Sequence, residues 1–85
     1  MDSNAITFEI TKHFGVIRQH NTGWKRELNL VSWNGNFPKF DIRDWDDEHM
    51  RMSRGITLSE EEAKALHELL GEAFDDDCFD LDGVI

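Results

Sequence analysis

The residues best suited to do chemistry in this chain are tryptophans and cations that share one stretch, WKRELNLVSWNGNFPKFDIRDW, over residues 24 to 45. Pairing its two arms about Asn34-Gly35-Asn36 so that Trp33 faces Phe37 sets Val31 opposite Lys39, Asn29 opposite Asp41, Glu27 opposite Arg43 and Lys25 opposite Trp45. Side chains alternate along a strand, so all of these lie on one face, while Leu28, Leu30, Phe40 and Ile42 share the other. Burial of that apolar set fixes the register, because a slip of one residue would exchange the faces. The polar face then offers Trp33 and Trp45 as flat rings, Lys25, Lys39 and Arg43 as cations, and Asn29 as a hydrogen-bonding group. Rings of this kind stack on unpaired bases for about 1 to 3 kcal/mol each while cations follow the phosphates. A duplex hides its base faces, so the mixture favours single-stranded nucleic acid. Tryptophans in a small sheet are also ordinary packing groups, and the same face could instead grip a peptide as a protein-protein interaction module.

Other chemistries find no support in the residue spacing. His13, His20, His49 and His67 are scattered without metal-ligand spacing and read as solvated side chains. Asp77, Asp80, Asp82 and Gly83 resemble a calcium loop only superficially, since Cys78 falls where the first ligand would stand. The chain has no glycine-rich phosphate loop, no GxSxG and no Cys and His set in a nucleophile context. We therefore expect no catalytic residue, no metal and no cofactor.

The elements that must position this face follow from the pattern around it. Ile6, Phe8 and Ile10 alternate with Thr7, Glu9 and Thr11, and Val16 and Ile17 follow Gly15, which predicts an N-terminal hairpin ending near His20. Asn21-Thr22-Gly23 breaks the chain before the long hairpin. Pro38 lacks a ladder donor and should face an edge or lie outside the regular pairing. Residues 46 to 49 read as a mobile charged loop, and MRMSRGITL returns as a further strand with Gly55 at a bulge or close approach. That bulge leaves the faces of Arg51 and Arg54 unassigned. Ser59 and Glu62 form a capping box beside Glu60 and Glu61, and Ala63, Leu66, Leu69, Leu70, Ala73 and Phe74 make an apolar helical stripe. One side of the stripe should cover the Leu28, Leu30, Phe40 and Ile42 face, and part of it is broad enough to meet a second subunit. The pattern as a whole predicts an α+β domain over residues 1–74, four to five antiparallel strands and then one helix, followed by an acidic tail over residues 75–85.

The 85 residues carry a formal charge of −9, which at first sight opposes a nucleic-acid partner. Its distribution removes the objection. Residues 11 to 58 hold eight basic side chains against six acids, whereas residues 59 to 85 hold Lys64 against ten acids, so the acidity belongs mainly to the C-terminal third. The tail is expected to compete with nucleic acid for the basic face, or to recruit protein partners through Phe79, Leu81, Val84 and Ile85. A core of this size is marginal alone, which predicts a homo-oligomer. The single Cys78 suits a reducing cytosol, and no apolar run reaches membrane-spanning length, so a cytoplasmic, nucleoid-associated protein with no membrane contact is expected.

FPKFDIRDW followed after a short loop by RGITLSEEEAKAL resembles the positive cofactor four family of transcriptional coactivators, with its D-I-R strand, basic-Gly-Ile-Ser/Thr-Leu strand end and following helix. GWKRELNLVSWNG, PKFDIRDW and GITLSEEE look closer still to its bacterial YdbC-like branch, over about residues 24 to 70. The resemblance implies a curved sheet backed by a C-terminal helix, a homodimer formed through the helices, and single-stranded DNA held on the concave sheet faces. It carries over to Arg43 as the sheet arginine after D-I, to Trp33 as the aromatic near the end of the first arm, and to Arg54 as the basic residue before Gly-Ile. Trp45 stands one position from the family's usual aromatic, and Ser53 stands where a further cation is common. A non-enzymatic, sequence-tolerant single-strand binder acting in transcription or in DNA repair and replication is the resulting expectation. Its binding residues are Lys25, Asn29, Trp33, Lys39, Arg43, Trp45, Arg51 and Arg54.

Overall fold

Asn34 and Gly35 reverse the chain with positive φ values of 53° and 77°, and the Asn36 N–H donates to the Trp33 carbonyl at 2.9 Å. Two successive residues at positive φ give a reversal whose twist matches antiparallel strands, and an Asn-Gly pair adopts it with little strain. In a computed structural model that describes residues 6–75, this turn joins the second and third of four strands. They are β1 (Phe8–Gln19), β2 (Lys25–Trp33), β3 (Lys39–Trp45) and β4 (Met52–Leu58), and one helix follows, α1 (Glu60–Asp75). The strands form one antiparallel sheet in the order β1-β2-β3-β4. The β2–β3 register is the one burial of the apolar set required, from Lys25 opposite Trp45 to Val31 opposite Lys39. Pro38 lies outside the ladder, as its missing donor demands.

The expected N-terminal hairpin is instead one strand of 12 residues. Gly15 does not have the positive φ that Gly23 and Gly35 show, and it pairs in the ladder opposite Leu28 rather than turning the chain. β1 pairs its 12 residues with the nine of β2 through three register shifts, which leave Thr11, Phe14 and Ile17 as extra residues. Each bulge adds local twist and bends the strand. The bend is large: Phe8 packs 5.9 Å from Trp33 and 5.1 Å from Trp45, ring centre to ring centre. Trp45 pairs with Lys25, at the far end of β2 from Trp33. A flat sheet would separate the two ends by about 26 Å at a rise near 3.3 Å per residue. The sheet is therefore strongly coiled, with both tryptophans inside the concavity.

This coiling reverses the expected allocation of the core. The fully or almost fully buried side chains are Val31, Trp45, Glu27, Asn29 and Asp41, all on the face that the alternation pattern left open. Leu28, Leu30, Phe40 and Ile42 on the other face are only half-buried. α1 begins as its sequence requires: Ser59 N–H donates to Glu62 Oε1 at 2.8 Å and Glu62 N–H donates to Ser59 Oγ at 3.1 Å, closing the capping box. It approaches β3 and β4 but neither β1 nor β2, and none of its residues is buried, so the expected cover of the Leu28, Leu30, Phe40 and Ile42 face is not made as a whole. Leu69 and Leu70 remain 63% and 47% exposed. The helix runs through Asp75, and the acidic tail beyond it lies outside the described residues.

β4 carries the bulge expected near Gly55, between the Arg43–Gly55 and Trp45–Met52 pairs. A Cβ at Gly55 would collide with the Arg43 Cβ and the Ile42 carbonyl oxygen, so glycine is what lets β4 lie against Arg43. The β3–β4 connection carries hydrogen bonds of its own. Asp46 Oδ1 accepts the Met50 and Arg51 N–H groups at 2.9 and 3.1 Å, and His49, at a positive φ of 57°, donates its N–H to the Asp46 carbonyl. Charge density suggested solvation there, but a single carboxylate collects the loop's amides.

Candidate nucleic-acid interface

Coiling gathers an aromatic row in the concavity: Trp33, Phe8, Trp45 and then His49, whose ring lies 5.6 Å from Trp45. β1 supplies Phe8, β2 supplies Trp33 and β3 supplies Trp45. Trp33 keeps part of its surface open, and the Arg43 guanidinium lies over its ring at 4.6 Å, a cation–π geometry. Trp45 is 0% exposed, covered by Phe8 and His49, so it is a packing residue of this face with no ring surface available.

Beneath the rings lies a buried polar floor. Asp41 accepts Arg43 Nε at 2.6 Å and Nη2 at 2.8 Å, and Thr57 Oγ1 donates to its Oδ2 at 2.9 Å. Arg43 thus pairs along its own strand, not with Glu27 across the ladder. Glu27 meets His49 Nε2 at 2.9 Å and accepts Asn29 Nδ2 at 3.1 Å, while His13 Nδ1 sits 2.7 Å from Asn29 Oδ1 and 3.5 Å from Glu27. Three of the four histidines therefore have carboxylate or amide partners, His20 Nε2 standing 3.1 Å from Asp44, while His13 and His49 also keep 49% and 39% of their side-chain surface exposed. Burial explains this: a carboxylate removed from water must keep polar partners, and imidazole is the group within reach. Among the described residues no group of His, Cys, Asp and Glu is arranged to hold a metal ion.

The remaining cations differ in exposure and partners. Lys39, Arg51 and Arg54 are exposed, and among the described residues neither Lys39 nor Arg54 forms an ion pair. Lys25 approaches Asp47 at 3.8 Å. Arg51 lies beside Asp46, whose carboxyl is held below the usual carboxylate range chiefly by the hydrogen bond from the Arg51 amide, with the Arg51 charge adding to it. On the convex side the Arg26 hydrogen bond at 3.0 Å holds the Asp44 carboxyl low, and His20 reinforces it. Two shallow depressions flank Trp24, one of them lined by Asp46, Asp47 and Glu48, and acids in that position would repel phosphate.

Of the residues expected to bind, Trp33 and Arg43 come together, and Lys39, Arg51 and Arg54 offer exposed charge. Asn29 and Trp45 are buried in the floor. Phe8, Asp41, Thr57, His13 and His49 were missed. The acids were visible in the pairing, which put Glu27 and Asp41 on the same face as the cations. Phe8 could not be placed, because the bulges of β1 break the alternation that would have assigned it.

A coiled four-stranded antiparallel meander with a trailing helix, whose concave face sets rings beside a cation, is an α+β domain. The chain belongs to the Transcriptional Coactivator p15 (PC4) family, whose profile matches residues 20–69. That span holds β2, β3, β4 and most of α1 and leaves out β1. An uncharacterized protein of Treponema pallidum (strain Nichols) is 40% identical over 63 residues, covering 74% of each chain.

Proposed function

We propose that this protein is a sequence-tolerant binder of single-stranded nucleic acid, DNA in the first instance, with no enzymatic step of its own. It acts as a homodimer in transcription regulation or in DNA repair and replication, in the cytoplasm at the nucleoid. Membership of the coactivator family carries the reading, and the observation that supports it in this chain is Trp33, a partly open ring in the concavity, with exposed Lys39 opposite Val31 on the same face. Bases stack on Trp33 while exposed cations neutralise phosphates, so affinity falls steeply with salt. Trp45 and Asn29 support this face from beneath. Among the described residues no helix is long and apolar enough to cross a membrane.

The partly uncovered stripe of α1 supports the homodimer, with Leu69 and Leu70 as the residues a second copy would cover. The same stripe favours a second reading, a protein-interaction module in which nucleic acid has no part. The acidic tail competes with nucleic acid for the exposed cations, as the charge split of the sequence suggests. Fluorescent oligothymidine titrated at two salt concentrations, with duplex of equal length as control, tests the leading reading. Tight, salt-dependent binding of the single strand alone is expected. Equal binding of duplex, or none of the single strand, refutes it in favour of the interaction module.

A further inference from the structure

Arg43 is the cation of the concave face that sequence pattern points to first, yet its surroundings leave it nothing to offer a phosphate. A guanidinium has five N–H donors. Here Nε goes to Asp41 Oδ1, Nη2 goes to Asp41 Oδ2 at 2.8 Å and Thr57 Oγ1 at 3.5 Å, and Nη1 goes to the Ser53 carbonyl at 3.3 Å and Met52 Sδ at 3.6 Å. Its side chain is 13% exposed, and its charge is matched by Asp41, which is fully buried. Gly55 gives up its side chain so that β4 can close against it. What remains is a flat face, and that face lies against the Trp33 ring at 4.6 Å.

Resting on the proposed function, we propose that Arg43 is a positioning residue rather than a phosphate ligand. It holds the Trp33 ring at the angle at which a base can stack, while the phosphates of the strand fall to freely exposed cations, Lys39 of the same face first. Asp41 and Thr57 serve Arg43 in turn: the buried carboxylate fixes the guanidinium in plane, and the threonine hydroxyl fixes the carboxylate. Lysine cannot replace arginine here, because an ammonium neither pairs side-on with a carboxylate nor lies flat on a ring.

Two measurements on oligothymidine binding test this. The first is the salt dependence of the double variant D41N/R43Q, which keeps net charge. Removing a cation that neutralises one phosphate of a single strand lowers the slope of log K against log salt by about 0.7, whereas removing a positioning residue leaves it unchanged. The second is a cycle between R43K and W33A. We expect R43K to weaken binding about tenfold in the wild-type background, the order of one impaired stack, and to change it less than about twofold in the W33A background. A slope reduced by about 0.7 in D41N/R43Q overturns the inference. So does wild-type affinity in R43K, or an equal weakening by R43K with and without Trp33. Failure of the unaltered protein to bind oligothymidine refutes the proposed function itself, a result separate from any of these.

Discussion

Replacing Trp45 by alanine separates packing from binding within the aromatic row. Trp45 is fully buried against Phe8 and His49 at the end of the β2–β3 ladder. A buried tryptophan removes some 150 to 250 Å² from water, worth about 4 to 6 kcal/mol at 25 cal/mol per Å². Measured truncations of this kind cost about 3 to 5 kcal/mol. Seventy described residues correspond to a total stability of about 4 to 10 kcal/mol. The substitution should thus remove about a third of the stability or more. Trp45→Phe keeps the ring packing and removes an indole N–H that has no acceptor among the described residues, so it should cost less than about 1.5 kcal/mol. Trp33, only partly buried, should tolerate alanine with a loss of about 2 kcal/mol or less while oligothymidine affinity falls about tenfold. Urea unfolding followed by circular dichroism, together with fluorescence anisotropy of labelled oligothymidine, reads both quantities. A W45A protein with an unchanged unfolding midpoint and impaired binding would return Trp45 to the role of a base platform and refute the assignment of the core to the concave face.

Gly55→Ala should destabilise by about 1 to 3 kcal/mol in thermal unfolding, because the added methyl meets the Arg43 Cβ and the Ile42 carbonyl, which cannot move aside as a flexible side chain would. Ser59→Ala removes one half of the capping box and should cost about 1 kcal/mol, read as a lower melting temperature with the native circular dichroism spectrum retained below the transition. Asp44 has its pKa lowered by Arg26, so the stability it contributes is present above the ordinary aspartate pKa and is lost as pH falls through the lower folded value. In acid titrations followed by intrinsic fluorescence, Arg26→Met should therefore flatten the stability loss below about pH 4, and an unaltered acid limb would contradict the pairing.

Where local chemistry decides the outcome, the chain is legible. Asn34-Gly35 specifies a turn, Leu28, Leu30, Phe40 and Ile42 specify a register, and Ser59 with Glu62 specifies a helix start, each through interactions within a few residues or across one ladder. β1 is illegible for the opposite reason. Its alternation is broken at Thr11, Phe14 and Ile17, and nothing in those residue types announces that two neighbours will oppose one partner residue. The misassigned core follows from that. Period two says which residues share a face, but which face closes depends on how far the sheet coils, and the coil was hidden in β1. At the Asp46 loop, composition records the charge of a carboxylate and not the two amides it collects. For the site, register put Trp33 and Arg43 on one face, but Arg43 stands opposite Glu27, six residues from Trp33, and their contact needed the coil of the sheet. The neutralisation of Arg43 by Asp41 needed side-chain geometry, since register had offered Glu27 as its partner.

The three surplus residues of β1 act as an outer lane on a curved track: the strand must be longer than its neighbour because it travels further. Pairing and shape are consequently written in different residues. Deleting Thr11 would leave each remaining β1 residue opposite its present partner, whereas deleting a paired residue of β2 would shift every side chain beyond it to the wrong face. What the loss of Thr11 would change is the bend, and with it the reach of Phe8 from Trp33 to Trp45. Length can thus be trimmed in this strand one bulge at a time, opening the concavity by degrees without disturbing the ladder that builds it.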